Sequence, residues 1–137
     1  MKVLFKNINP ILKPGMADFL KLHNITEAEG GLEISVVLSN DYNIKITKDN
    51  NNVTFEVDKE HQIFRCMTLL KERADEDSFV IEEKRWFDTC GAMFDGSQAS
   101  SLMTVASVKR MLLYMAGMIT LGNISSFVLY SPTEILS

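Results

Sequence analysis

The sequence predicts an α+β fold, a small antiparallel sheet with covering helices, followed by one strand–helix–strand unit. Three observations support this class. Between residues 32 and 57, β-branched and aromatic residues recur in short alternating runs separated by turn residues, which is typical of strands. Helical patterns, with apolar residues every three or four positions, flank those runs. From residue 86 onwards a buried strand, an apolar helix and a second buried strand follow one another, as at the beginning of a parallel α/β barrel.

The first 85 residues are predicted to form one α+β domain. Its predicted elements, in order, are a strand over 2–8, a helix over 16–23, strands over 32–38, 43–48 and 53–57, a helix over 59–74 and a strand from residue 79. Ser39-Asn40-Asp41 and the Asp and Asn residues at 49–52 favour turns between the three central strands, so we predict an antiparallel meander with one solvated face. Asp58 is a plausible N-cap for the second helix.

Residues 86–137 form the strand–helix–strand unit, with strands over 90–95 and 125–130 and a helix over 103–118. One stripe of the helix is apolar at helical spacing, and neighbouring apolar residues widen it beyond a third of the surface. The stripe consists of Val105, Val108, Leu112 and Met115. A helix this apolar requires cover on more than one side. Unpaired strand edges and exposed apolar surface drive association, so we predict a homo-oligomer through this unit.

Composition and charge narrow the class of protein. The chain has 137 residues, of which 46% are hydrophobic and 23% charged, which is enough for one sizeable core. The net charge is −4 and the Lys and Arg residues are scattered, so we predict no nucleic-acid partner. The most apolar run, 111–121, is about half the length of a bilayer span, and the N-terminus lacks a signal-peptide pattern. We expect no membrane partner and a cytoplasmic protein.

The cysteines and histidines give no metal or nucleophile pattern. Cys66 and Cys90 lie on separate predicted elements, so we predict two free thiols in a reducing compartment. His23 and His61 stand at unrelated positions and would not complete a zinc site with them. Cys90 has apolar neighbours and no histidine near it in sequence, which favours a buried, inert thiol. We therefore predict no metal and no cofactor.

Three motifs in a fixed order resemble the β-N-acetylhexosaminidases of glycoside hydrolase family 20. They are Thr54–Leu70, Phe87–Ser97 and Val108–Ala116. The resemblance covers residues 30 to 130 and corresponds to that family's α+β accessory domain plus the first strand, first helix and second strand of its TIM barrel. It implies an exo-enzyme that removes terminal N-acetylhexosamine from glycans. In such enzymes the substrate's acetamide attacks the anomeric carbon, an Asp orients it, and the adjacent Glu protonates the leaving oxygen.

The resemblance also implies that this catalytic Asp-Glu pair lies midway round the barrel, beyond these 137 residues. The Asp-Glu dipeptide present here, Asp75-Glu76, falls in a charged loop. Cys90 stands where many relatives carry an Arg that holds sugar hydroxyls, and Gln98 stands where many carry a second Arg, shortly after the Asp of the strand. We therefore expect the N-terminal portion of a hexosaminidase-like enzyme, with no catalytic residue and no activity alone. The alternative is a non-catalytic α+β module that binds a protein or a glycan.

Asp95 is the candidate substrate-binding residue. It ends the first barrel strand at the face where barrel active sites form, which suits a contact to the sugar or an orienting carboxylate. A cap or turn for the loop into the helix is the other interpretation, and we favour it. His61, with Asp58 and Glu60, is interpreted as an acidic first helical turn favoured by the helix dipole. Trp86 and Phe87 are interpreted as core at the junction of the two parts.

Overall fold

The computed structural model describes residues 1–40, 43–84, 89–95, 104–118 and 123–130. These ranges contain eight strands and three α-helices. For 89–95 and 123–130 the description covers the backbone. The elements are β1 (Lys2–Phe5), α1 (Lys13–Leu22), β2 (Thr26–Glu27), β3 (Leu32–Leu38), β4 (Asn43–Asp49), β5 (Asn52–Val57), α2 (Ile63–Glu72), β6 (Ser78–Lys84), β7 (Thr89–Asp95), α3 (Val105–Met118) and β8 (Asn123–Tyr130). The boundary predicted between residues 85 and 86, and the predicted positions of Trp86, Phe87 and Gln98, fall outside the described residues.

The α+β class is confirmed, but the predicted antiparallel meander is wrong in one pairing. Six strands form one sheet in the order β2-β1-β3-β5-β4-β6. Strand β4 is antiparallel to β5 and β6, whereas β3 pairs with β5 in parallel, and β1 is parallel to both β2 and β3. The sheet is therefore mixed rather than antiparallel.

The alternation of apolar residues explains why the sequence did not decide this pairing. In the parallel register Ile34 lies opposite Val53, and Val36 lies opposite Phe55. Each strand repeats with period two, so an antiparallel neighbour would match apolar to apolar equally well. The two-residue turn between β4 and β5 was predictable, because Asn50 adopts the positive φ of 53° that Asn tolerates.

Helix α2 begins at Ile63, four residues after the predicted start at residue 59, and the predicted N-cap is one residue too early. Lys59, not Asp58, precedes the short 3₁₀ turn Glu60–Gln62 that leads into the helix. The side-chain Oε1 of Gln62 accepts hydrogen bonds from the backbone N–H groups of Asp58 and Lys59, at 3.2 and 3.3 Å. A glutamine at the third position of the turn that reaches back to the backbone N–H of the N-cap forms one half of a capping box.

The core lies between one face of the sheet and helices α1 and α2. Strands β4 and β5 bury every second residue, and α2 packs against both of them. The rings of Phe19 on α1 and Phe64 on α2 meet edge to face with centroids 5.4 Å apart. Phe19, Phe55, Met16, Met67 and Leu70 are among the largest fully buried side chains.

The predicted strand–helix–strand unit is present, with parallel strands. Strand β7 pairs with β8 in parallel from Thr89 opposite Asn123 to Asp95 opposite Tyr130. Helix α3 lies between these two strands in the sequence, and it packs against α1 and α2. Cover of this kind was expected, because the helix is strongly apolar.

Burial of the apolar surface of α3 is uneven. Leu113, one of the apolar neighbours that widen the predicted stripe, packs against the core. Within the stripe itself, Val108 and Met115 are half-buried, whereas Val105 and Leu112 are 78% and 37% exposed. The sequence pattern identified the apolar surface of the helix but not which part of it α1 and α2 cover.

Candidate functional site

The carboxyl ends of β7 and β8 meet at one edge, which is where the sequence predicted a substrate contact. Asp95 is the last residue of β7 and pairs with Tyr130, the last residue of β8. In parallel α/β architectures this edge collects the residues that bind ligands. The description of β7 and β8 covers backbone positions, so contact of the Asp95 side chain with a sugar stays a prediction.

The Asp75-Glu76 dipeptide lies in the turn after α2 and does not suit acid catalysis. The Glu76 carboxylate accepts hydrogen bonds from Nε and Nη2 of Arg73, at 2.5 and 2.8 Å. The guanidinium also lies over the ring of Phe79, 4.7 Å from its centroid. The hydrogen bond from Arg73 lowers the pKa of Glu76. A glycosidase acid requires a raised pKa, so the pairing opposes that role.

The acidic first turn before α2 makes a long-range structural contact. Nδ2 of Asn9 donates a hydrogen bond to Oε2 of Glu60 at 2.6 Å, and Oδ1 of Asn9 accepts one from the backbone of Ile11 at 3.0 Å. The Asn9 side chain thereby ties the segment before α1 to the segment before α2. The structural interpretation of this turn from sequence agrees with these contacts.

Beside this contact is a cavity that sequence reasoning missed. Its volume is about 170 Å³, its walls are mostly apolar, and Asn9 and Glu60 lie at its rim. The lining residues are Asn7, Ile8, Asn9, Leu12, Val36, Leu38, Glu60 and Ile63. Asn7 extends the pairing of β1, because its amide bonds both the N–H and the C=O of Val36, at 2.8 and 2.7 Å. These groups come from three separate regions of the chain, so no local motif marks the cavity.

An open groove of about 410 Å³ separates α1 from α3. Lys21 and Arg110 line it beside an ion pair between Lys109 and Asp18, whose charged atoms are 3.4 Å apart. The paired side chains are 65% and 49% exposed, so solvent strongly screens the attraction between their charges.

His23 packs at the meeting point of the three helices. Its ring centroid is 4.4 Å from that of Phe19 on α1 and 6.0 Å from that of Tyr114 on α3. Nζ of Lys71, on α2, donates a hydrogen bond to the backbone carbonyl of His23 at 2.9 Å. Burial, and then the charge of Lys71, lower the pKa of the imidazole. The residue is therefore favoured in its neutral form and takes part in helix packing.

Arg65, Glu83 and Gly117 form a polar cluster that links three elements, α2, β6 and α3. Nε and Nη2 of Arg65 on α2 donate to the two carboxylate oxygens of Glu83 on β6, at 2.9 and 2.7 Å. Nη1 donates to the backbone carbonyl of Gly117 on α3 at 3.2 Å. These partners lie 18 and 52 positions from Arg65 in sequence, so the cluster was not visible there.

Within the described ranges, no three His, Cys, Asp or Glu side chains gather as a metal site would require. Cys66 is a free thiol that is completely buried on α2, and burial raises its pKa, so it is not poised as a nucleophile. As for the membrane, the helices in the described parts of the chain are each too short or too polar to cross a bilayer.

Comparison with known proteins finds a likeness of fold but no matching sequence family. No family model and no curated protein sequence matches the chain. Among solved structures, the fold is similar to the GH20 β-N-acetylhexosaminidase from Streptomyces coelicolor A3(2), with a TM-score of 0.57 and 14% sequence identity over 87% of this chain. The chain spans 29% of the length of that enzyme. At this identity the likeness shows the fold alone.

Proposed function

We propose that these residues form the accessory α+β domain and the first strand–helix–strand unit of a glycoside hydrolase similar to family 20, which acts on terminal N-acetylhexosamines. The observation that carries the proposal is the order of the parts. A mixed sheet with two helices leads into a parallel strand–helix–strand unit, and 87% of the chain follows one hexosaminidase fold. The three sequence motifs that resemble family 20 point to the same enzymes independently.

The two apolar sides of α3 support this role. Leu113 and Gly117 face the core beneath α1 and α2. On the other side, Val105, Leu112 and Met118 are 78%, 37% and 61% exposed. A barrel helix packs inward on strands and sideways on neighbouring helices, so further barrel elements would cover this second side.

The proposed role of these residues is support and substrate contact rather than bond cleavage. Substrate-assisted hydrolysis requires an orienting Asp and an adjacent acid at the carboxyl end of a barrel strand. Glu76 sits in an exposed turn with a lowered pKa, held by Arg73. Asp95 is the last residue of β7, and it is followed by Gly96 rather than Glu. We therefore propose that the acid lies elsewhere in the full enzyme.

A chromogenic N-acetylglucosaminide assay tests the catalytic part of the proposal. The folded 137-residue chain should release no chromophore above a protein-free blank. Turnover that co-purifies with the folded chain and disappears in Asp95→Asn would contradict it. Turnover that survives in Asp95→Asn and in Glu76→Gln would identify a contaminating enzyme, so both variants are measured in parallel.

The alternative function is a non-catalytic glycan-binding module, and the cavity beside Asn9 and Glu60 is the observation that favours it. Titration of the ¹⁵N-labelled chain with N-acetylglucosamine separates the two. Shifts at residues 93–95 and 128–130 would support a barrel-edge contact. Shifts confined to residues 7–9, 36–38 and 60–63 would support the module instead and count against our proposal.

A further inference from the structure

A cation from another element contacts the C-terminal end of α3. The last carbonyl groups of a helix have no donors within the helix, and they carry a partial negative charge. Basic residues in the last turn commonly donate hydrogen bonds to these carbonyl groups and balance the partial negative charge, but α3 has no basic residue there. Arg65, on α2, supplies the missing cation by donating from Nη1 to the Gly117 carbonyl at 3.2 Å.

Arg65 reaches that carbonyl in a fixed orientation. Glu83 engages its guanidinium through two parallel hydrogen bonds, at 2.9 and 2.7 Å, which is the bidentate geometry that carries orientation as well as energy. The two side chains are 16% and 28% exposed, so the pair is largely shielded from solvent. The hydrogen bond with Glu83 raises the pKa of Arg65, which keeps the group charged.

Gly117 allows α3 to approach closely enough for this bond. A Cβ at this position would lie 2.6 Å from Oγ1 of Thr68 and 3.0 Å from Cε2 of Phe19. A larger residue here requires the side chains of Thr68 and Phe19, or the helix itself, to shift. Gly117 is therefore both the residue at which α3 packs closely against Thr68 and Phe19 and the residue whose carbonyl accepts the hydrogen bond from Arg65.

We propose that Arg65 is a positioning residue which, held by Glu83, fixes the C-terminal end of α3 on the α+β domain. Glu83 is on β6, directly before the segment that leads into β7, and α3 ends at Met118, shortly before β8 begins at Asn123. The cluster therefore joins the strand before the unit to the helix inside it. This role rests on the proposed function, because the placement of β8 beside β7 shapes the edge that carries Asp95.

Hydrogen exchange read by mass spectrometry on the 137-residue chain tests the proposal. In Arg65→Met, amides of residues 112–118 should exchange about tenfold faster, the effect of one lost charge-assisted hydrogen bond of roughly 1.4 kcal/mol. Amides of β3 and β5 should change less than about twofold, because neither strand pairs with β6, which carries Glu83. Equal acceleration in α3 and the sheet would show a general loss of stability and overturn the proposal.

The chain offers a matched control in Arg73→Met. Arg73 makes the same two-bond pair, with Glu76, and lies over the ring of Phe79, but neither of these partners is on α3. It should leave α3 exchange unchanged, and acceleration equal to that in Arg65→Met would overturn the proposal.

Two milder variants keep the proposal testable if Arg65→Met fails to fold. Arg65→Lys retains the charge but can no longer bind the carboxylate and the carbonyl in one fork, so α3 exchange should be intermediate. Glu83→Gln leaves the guanidinium intact but weakens its orientation, and α3 should again be selectively faster. Wild-type exchange in both variants would overturn the proposal. Neither result depends on the sugar assays, so failure here is distinct from failure of the proposed function.

Discussion

Lys48 illustrates how much of a residue's role depends on contacts distant in sequence. Alternation along β4 places Lys48 on the same face as Ile44 and Ile46, and the structure leaves it 6% exposed. Its Nζ donates to the carbonyl of Ala74 at 3.4 Å and to the carbonyl of Glu76, in the turn after α2. A buried ammonium requires such partners. The period-two pattern predicted which face Lys48 occupies, but not the turn that makes its burial tolerable.

The environment of His23 predicts a pH dependence of stability. Its pKa is lowered in the folded protein, first by burial and then by Lys71, from an ordinary value of 6.5. The unfolded chain therefore binds more protons, and the free energy of unfolding contributed by this residue falls as pH decreases below 6.5. Denaturant titrations at pH 7.5 and 5.0 should show this loss in the wild type. His23→Gln should reduce the loss.

The control for this measurement is His61→Gln, which removes the other histidine and leaves the helix junction intact. It should retain the part of the pH dependence that His23→Gln removes. A wild-type pH dependence in His23→Gln, or its disappearance in His61→Gln, would contradict the role assigned to His23.

At the scale of elements, local patterns predicted positions well and partners poorly. The bounds of β3 were predicted to the residue, and α1, α2 and α3 each differ from prediction by no more than a few positions. The two-residue β2 was missed because Thr26–Glu27 is too short to show a period. Tertiary packing decides that β3 pairs with β5 in parallel and which side of α3 is buried. The periodicity of the sequence carries no information about such packing. The candidate site was predicted as a strand end, Asp95, whereas the Arg65 cluster and the cavity near Asn9 join residues distant in sequence.

The packing of α3 and of α1 against their neighbouring helices predicts opposite effects for two glycine-to-alanine changes, one in each helix. Gly117→Ala should lower the free energy of unfolding by about 1–2 kcal/mol, because overpacking against Thr68 and Phe19 exceeds the gain in helix propensity of about 1 kcal/mol. In α1, a Cβ at Gly15 would meet Cζ of Phe64 at 3.5 Å, an ordinary contact. Gly15→Ala should therefore stabilise by about 0.4–1 kcal/mol. Urea unfolding of both variants measures the difference, and equal shifts of one sign would contradict the packing described here.

At the scale of the whole molecule, the two parts of the chain differ in how much of their apolar surface is buried and in how many strand edges are paired. The six-stranded sheet and its helices enclose a continuous core from Val3 to Phe79. In the described part of the strand–helix–strand unit, β7 and β8 pair only with each other, and one side of α3 carries exposed apolar residues. Open strand edges and an apolar helix side are surfaces that proteins cover. In a complete barrel the next strands and helices would cover them.

For the 137-residue chain on its own, these surfaces predict self-association. The chain should sediment as a dimer or larger species at micromolar concentration, because a second copy can cover the side of α3 that includes Val105 and Leu112. The double variant Val105→Glu/Leu112→Glu should shift the distribution towards monomer, since charge at an apolar contact carries a desolvation cost. Ile11→Glu is the matched control, because Ile11 is 84% exposed but lies before α1, far along the chain from α3. A monomeric wild type, or equal dissociation by Ile11→Glu, would show that α3 does not form the contact.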